Sequence, residues 1–150
     1  MFIKQAELFE GVSGNAKRVI ETQGMERNYK AGDIVFKEGG AGEYFYMLEE
    51  GKVDLFLGRQ EEMHFLVHYP GEIFGWTALI KPYRYLASAR CATDSLITKV
   101  PKSAIDIIVK DYPSDGLLIY KHLAGIVSER LVAALRENLP VSGRQAPSYG

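Results

Sequence analysis

Glycine punctuates the middle of this chain. Gly32, Gly39, Gly40, Gly42, Gly51, Gly58, Gly71 and Gly75 recur every few residues to about twelve across residues 27–100, with short runs of Val, Ile, Phe, Tyr and Leu between them. Runs of that length bounded by turn residues fold as short strands, and many in succession make an all-β barrel or sandwich. In Val53-Asp54-Leu55-Phe56-Leu57 the residues Val53, Leu55 and Leu57 alternate, so they share one face of a strand. Glu50-Gly51-Lys52 supplies a tight turn ahead of that strand, where glycine tolerates a positive φ.

Both flanks read as helix. In residues 1–26, Ala6, Leu8, Phe9 and Val12 form an apolar stripe broken at Gly11. Ser13 can cap a second helix that carries Ala16, Val19 and Ile20 and ends near Gly24. In residues 101–139, Pro101 opens a short helix with Ile105, Ile108 and Val109 at helical spacing, flanked by Ala104 and Ile107. Pro113 interrupts it, and Ser114 or Asp115 can cap the next. In that last helix Ile119, Leu123, Val127, Leu131, Leu135 and Leu139 lie on one i+4 row, widened by Ile126 and Val132, until Pro140 stops it. The expected organisation is one domain over 1–139 (helices in 1–26, strands in 27–100, helices in 101–139) and a flexible polar tail over 140–150.

Composition removes several function classes. A chain of 150 residues is one domain by size, long enough to bury a sizeable core. Its net charge of −1 and scattered basic residues carry no nucleic-acid footprint. The single cysteine, Cys91, excludes an internal disulfide, a four-cysteine iron–sulfur cluster and a structural zinc spacing; it reads as a small buried residue. His64, His68 and His122 show no ligand spacing with an acid or a cysteine, so neither a metal nor a haem is expected. No Ser/His/Asp or paired-acid arrangement stands out, so no catalytic residue is named. Met1 to Phe9 lacks the apolar region of a signal peptide, and no run approaches the ~18 apolar residues of a membrane span. The expected location is cytoplasmic, with no membrane partner.

Four segments carry a family resemblance over about residues 7–138. Tyr29 to Gly39 is similar to a Gly-Asp-x-hydrophobic-x-x-Glu-Gly opening, and Tyr44 to Val53 to an aromatic-x-Leu-x-x-Gly-x-Val hairpin. Pro70 to Gly75 resembles a strand leading into a ligand cassette, and Ala87 to Ser95 the small-residue strand leaving it. In this order and spacing they resemble the cyclic nucleotide-binding domains of the catabolite activator protein family. The resemblance implies a mainly β fold with flanking helices: a double-stranded β-helix, or jelly-roll-like β-roll, with N-terminal helices and a long C-terminal helix. It also implies cyclic AMP or cyclic GMP as ligand and a homodimer formed through the last helix.

The cassette departs from the family pattern. The resemblance implies a glutamate after Phe-Gly that holds the ribose hydroxyl, and an arginine about nine residues on that holds the cyclic phosphate. Here Trp76 follows Phe74-Gly75, and the arginine slot holds Tyr85, beside Arg84; a register one residue later puts Leu86 there. A guanidinium is an always-charged bidentate partner for phosphate, which tyrosine and leucine are not. An indole offers one donor, no acceptor and a flat face, so Trp76 reads either as a stacking platform or as packing that plugs a vacated pocket. Arg84 reads as a displaced anion contact or a solvated loop residue, and Arg90 as an exposed strand charge. The candidate ligand residues are Phe74, Gly75, Trp76, Thr77 and Ala78, then Arg84, Tyr85, Leu86, Ala87 and Ser88. The candidate dimer-helix residues are Leu123, Ile126, Val127, Leu131 and Leu135.

The expected function is a regulatory sensing module in which a pocket in the roll is coupled to a C-terminal dimerisation helix. Cyclic nucleotide binding is expected to be weak or lost. The alternative is a dimeric scaffold or protein-interaction module with a plugged pocket. A protein partner is expected, and no direct DNA contact, because eleven residues after Leu139 are too few for a helix-turn-helix. The chain is then either a stand-alone sensor or one whose output domain lies elsewhere.

Overall fold

The computed structural model describes residues 6–58 and 63–137. Leu139, Pro140 and the expected tail fall outside the described residues.

Among the described residues, eight strands form two four-stranded antiparallel sheets. β1 (Met25–Tyr29), β8 (Ser95–Pro101), β3 (Tyr44–Glu50) and β6 (Ile73–Phe74) pair in that order. β2 (Ile34–Phe36), β7 (Ser88–Cys91), β4 (Val53–Leu57) and β5 (Met63–Val67) make the second sheet. The chain crosses from sheet to sheet as it advances, which closes the β-roll that the glycine turns foretell. The β3–β4 turn holds Gly51 at φ 102°.

A period of two explains how β3 is buried on both faces. Tyr46 and Leu48 enter the interior of the roll with Val53, Val67, Phe74, Ala89 and Ile97. Phe45 and Met47 face the other way, onto a second core shared with the helices. One strand therefore reads as a continuous apolar run because it serves two cores. The helix-facing side also holds Glu49, 2% exposed, which accepts a hydrogen bond from Thr98 Oγ1 at 2.5 Å.

Three helices and a 3-10 turn cover that outer face. Leu8 and Phe9, in the turn Glu7–Phe9, are fully buried. α1 (Gly14–Gln23) is capped by Ser13, whose Oγ accepts from the Ala16 N–H at 3.3 Å. The same hydroxyl donates to Asp115 at 2.6 Å and ties α1 to the last helix. Asp115, a candidate cap for its own helix, instead accepts from Ser13. α2 (Lys102–Asp111) buries Ala104, Ile105 and Ile108, while Ile107 and Val109 face solvent. α3 (Pro113–Glu137), of 25 residues, is the longest described element. Its residues Ile119, Leu123 and Ile126 are buried in the helix-side core, each contributing roughly 1.5–3 kcal/mol of apolar burial.

Candidate functional site

The cassette is built on a backbone that only glycine supports. β6 ends at Phe74, Gly75 turns through φ 69°, and a 3-10 turn, Trp76–Leu79, follows. A Cβ on Gly75 would lie 2.9 Å from the Tyr46 ring and 3.0 Å from the Phe36 ring. Both the dihedral and the space exclude a side chain there. Phe74 and Ala78 face inward and are fully buried.

The return segment is clasped by the loop before β3. Gly42 N–H donates to Tyr83 C=O at 2.7 Å, Tyr85 N–H to Gly40 C=O at 3.0 Å, and Gly39 N–H to Tyr85 C=O at 2.8 Å. This clasp sends Tyr85 into the roll. Its ring stacks on Phe36 with centroids 4.0 Å apart, and its hydroxyl donates to the Tyr44 carbonyl at 2.7 Å. Burial raises the Tyr85 phenol above its ordinary value, and burial followed by the Tyr85 hydroxyl raises Tyr46 far above it. Both stay neutral near pH 7 and offer a ligand no charge.

Leu86 is the residue that faces out of this segment into a cavity of about 350 Å³. Gly75, Trp76 and Thr77 bound one side of it, and Leu86 with Ala87 the next. Leu55, Phe56 and Leu57 of β4, with His64 and Phe65 of β5, form the roll side. Val127, Arg130, Leu131 and Ala134 of α3 line its helix side, and the cavity stays open to solvent past Leu86 and Leu131. Trp76 lines this space without filling it.

Five of the ten candidate ligand residues thus meet at one cavity: Gly75, Trp76, Thr77, Leu86 and Ala87. The structure places the other five elsewhere. Phe74 and Ala78 are core, and Tyr85 is core for the reason given above. The Ser88 hydroxyl accepts from the Glu38 N–H at 2.9 Å. Arg84 is exposed, and its guanidinium donates to the Gly39 carbonyl at 3.0 Å. Arg90, read as an exposed strand charge, is half-buried, with its guanidinium 4.7 Å from the centre of the Phe56 ring.

The dimer-helix candidates also divide. Leu123 and Ile126 are spent on the chain's own core, Val127 and Leu131 line the cavity, and Leu135 is half-buried. The helix row therefore packs on its own roll over its first half and over the cavity beyond.

One functional candidate was absent from the sequence reading. Arg130 leaves α3 beside the cavity, with its guanidinium 5.0 Å from the centre of the Phe65 ring and 5.9 Å from that of Trp76. Its Nη2 donates to the Ile73 carbonyl and stands 3.6 Å from Glu72 Oε2. Burial lowers the arginine's pKa, and Glu72, Glu7 and Glu129 oppose that shift. The other Glu72 oxygen accepts from the His68 and Tyr69 N–H groups at 3.1 and 3.2 Å. The signal in the sequence was a lone arginine beside an apolar helix row.

A β-roll with a glycine-hinged cassette facing a long C-terminal helix defines a class of ligand-responsive regulatory domains. The chain belongs to the cyclic nucleotide-binding domain family, whose model matches residues 26–112. A cAMP-dependent protein kinase regulatory subunit from Colletotrichum orbiculare is 29% identical over 118 residues, 78% of this chain and 29% of the relative. The cyclic AMP receptor protein of Thermus thermophilus is 28% identical over 132 residues, 86% of this chain and 59% of that one. The chain thus spans less than two thirds of the length of either. Among solved structures, the Thermus thermophilus catabolite activator protein superposes with TM-score 0.70 at 25% identity, covering 88% of this chain and 61% of that one. A cyclic nucleotide-binding domain from Methylobacillus flagellatus shares the fold with TM-score 0.77 at 16% identity, covering 95% and 82%.

Proposed function

We infer that this chain is a regulatory sensing module in which α3 reports what the cavity holds, and that it binds cyclic AMP and cyclic GMP weakly or not at all. One observation carries the reading: the cassette and α3 are two walls of the same cavity. A molecule between them contacts both, and it can bias the helix only by binding one helix arrangement better than another. The weak nucleotide affinity follows from Trp76 and Leu86 at the cavity, which supply neither a ribose acceptor nor a phosphate-binding cation. The scaffold alternative draws on the packing of Trp76 against the helix-side core. The space left beside Trp76 favours the sensing reading.

The reading includes a homodimer, with a protein partner downstream and a cytoplasmic setting. Leu117, Tyr120, Ala124, Val127, Leu131 and Ala134 follow the 3-4 spacing of a helix-pairing seam. Leu117 is 59% exposed and Leu131 56%. Leu117, Tyr120 and Ala124 are exposed, while Val127, Leu131 and Ala134 also line the cavity, so a second copy on this seam would lie beside the cavity mouth. No described helix is long and apolar enough to cross a membrane.

A cavity-filling substitution tests the coupling without a ligand. Leu86→Trp places bulk between the cassette and α3. Amide exchange of residues 126–134 is expected to change while that of α1 does not. Unchanged exchange in α3 would contradict the reporting role.

A further inference from the structure

The family match leaves open what the cavity takes, and its walls restrict the choice. Phe36, Phe56, Phe65 and Trp76 present aromatic rings, and aliphatic side chains fill most of the remainder. Besides the Trp76 indole N–H, only His64, Thr77 and Arg130 carry polar groups among the lining side chains. Both basic side chains already face carboxylates: His64 Nδ1 lies 2.8 Å from Asp54 Oδ2, and Arg130 lies 3.6 Å from Glu72. On its far side Arg130 borders a second hollow, of about 260 Å³, lined by Glu7, Glu72 and Glu129. An anion entering the cavity would therefore meet a guanidinium already balanced by acids, and would lose its water without a free cation in exchange.

Resting on the sensing reading, we propose that the cavity binds an uncharged, ring-bearing small molecule, stacked on Trp76 and Phe65 and held by one hydrogen bond at Thr77. Flat apolar rings gain from offset or edge contacts with aromatic side chains and need no charge partner. The volume of about 350 Å³ lies near the lower end of small-ligand pockets, roughly 300–1,000 Å³. That suits a molecule of two or three rings. The Thr77 hydroxyl both donates and accepts, so a phenol, a ketone or an aromatic amine meets the same need.

The test uses N-phenyl-1-naphthylamine, an uncharged fluorophore that accepts excitation energy from tryptophan, with the chain's single Trp76 as donor. The natural chain is expected to bind it saturably, one per chain, with sensitised emission. Ala87→Phe and Ala134→Phe fill the cavity from opposite walls, and each is expected to weaken binding about tenfold or more. Their urea midpoints, read alongside, establish that they fold. 2-Naphthol and 2-naphthoate then compete for the site, since they share one ring system and differ in charge. The neutral compound is expected to displace the probe at about one tenth the concentration of the anion or less. Preference for naphthoate would overturn the proposal and leave the sensing reading standing, with Arg130 as an anion contact. Equal binding to natural and filled chains would overturn it by moving the probe to the exposed face of α3. No saturable binding of any of the three compounds would overturn the proposal, while the sensing reading stands or falls on the exchange of α3 in Leu86→Trp.

Discussion

Arg130 of α3 and Glu72 of the turn before β6 face each other at 3.6 Å, and the same guanidinium donates to the Ile73 carbonyl. That turn is itself pinned to β3, through Leu48 N–H on the Glu72 carbonyl at 2.9 Å and Gly71 N–H on the Leu48 carbonyl at 2.7 Å. The helix is thus latched to the strand that leads into Gly75 and Trp76. In the proposed sensing role, this pair is a contact through which a shift of the cassette would reach α3.

The latch has an energetic signature. The two side chains are 14% and 19% exposed, between a surface pair and a fully buried one. Arg130→Met is expected to cost about 2 kcal/mol, and its coupling with Glu72→Gln to be on the order of 1 kcal/mol in a double-mutant cycle. Urea denaturation measures both. Strict additivity would mean that Arg130 acts only through its ring contacts and the Ile73 carbonyl.

The α1–α3 tie predicts a pH dependence. The Ser13 side chain and backbone N–H both donate to Asp115 and lower its pKa below the ordinary 3.8. A carboxyl depressed in the folded state stabilises the fold above its unfolded pKa and loses that contribution as pH falls through the folded value. The stability gap between the natural chain and Asp115→Asn should therefore be constant near neutrality and shrink as pH drops below 3.8. A gap that does not respond to acid would contradict this assignment.

Gly51 fixes the β3–β4 turn. At φ 102° an added Cβ would lie 2.6 Å from the Asp94 carbonyl oxygen and closer still to the Ser95 hydroxyl. Gly51→Ala is expected to lose about 2–4 kcal/mol from backbone strain and the forced shift of Ser95. The Ser95 hydroxyl also accepts from Lys52 N–H at 3.2 Å, so the shift breaks a second tie. A urea midpoint close to that of the natural chain would refute the account of this turn.

The exposed seam of α3 predicts self-association. Leu117→Asp puts a charge on the seam at a residue outside the cavity, so it should leave the fold intact and shift the chain toward monomer in sedimentation velocity. A natural chain that stays monomeric at high concentration would remove the dimer from the account.

Much of the fold was legible because its signals are local. The glycine turns, the Ser13 cap and the proline break between α2 and α3 act within a few residues, and each stands where the spacing put it. The cavity was less legible. The sequence left the arginine slot at Tyr85 or Leu86, a difference of one residue in register, and only the clasp by residues 39–42 determines which of them turns inward. The i+4 row of α3 misled for a geometric reason. At 3.6 residues per turn each step of four drifts by about 40°, so a row that begins in the core at Ile119 has rotated about 120° by Leu131. Arg130 was missed because its partners, Glu72 and the rings of Phe65 and Trp76, come from strands and turns distant in sequence.

Calorimetric titration with cyclic AMP, of the natural chain beside Trp76→Glu/Leu86→Arg, tests the account most directly. The pair of substitutions places a carboxylate and a guanidinium at the two cavity positions that the structure identifies, whereas Trp76→Glu/Tyr85→Arg would bury the arginine among Phe36, Tyr46 and Phe74. The account predicts no saturable heat for the natural chain below about 1 mM, an affinity no better than −4.1 kcal/mol, and a clear gain for the Leu86 double variant alone. A micromolar Kd in the natural chain would contradict it.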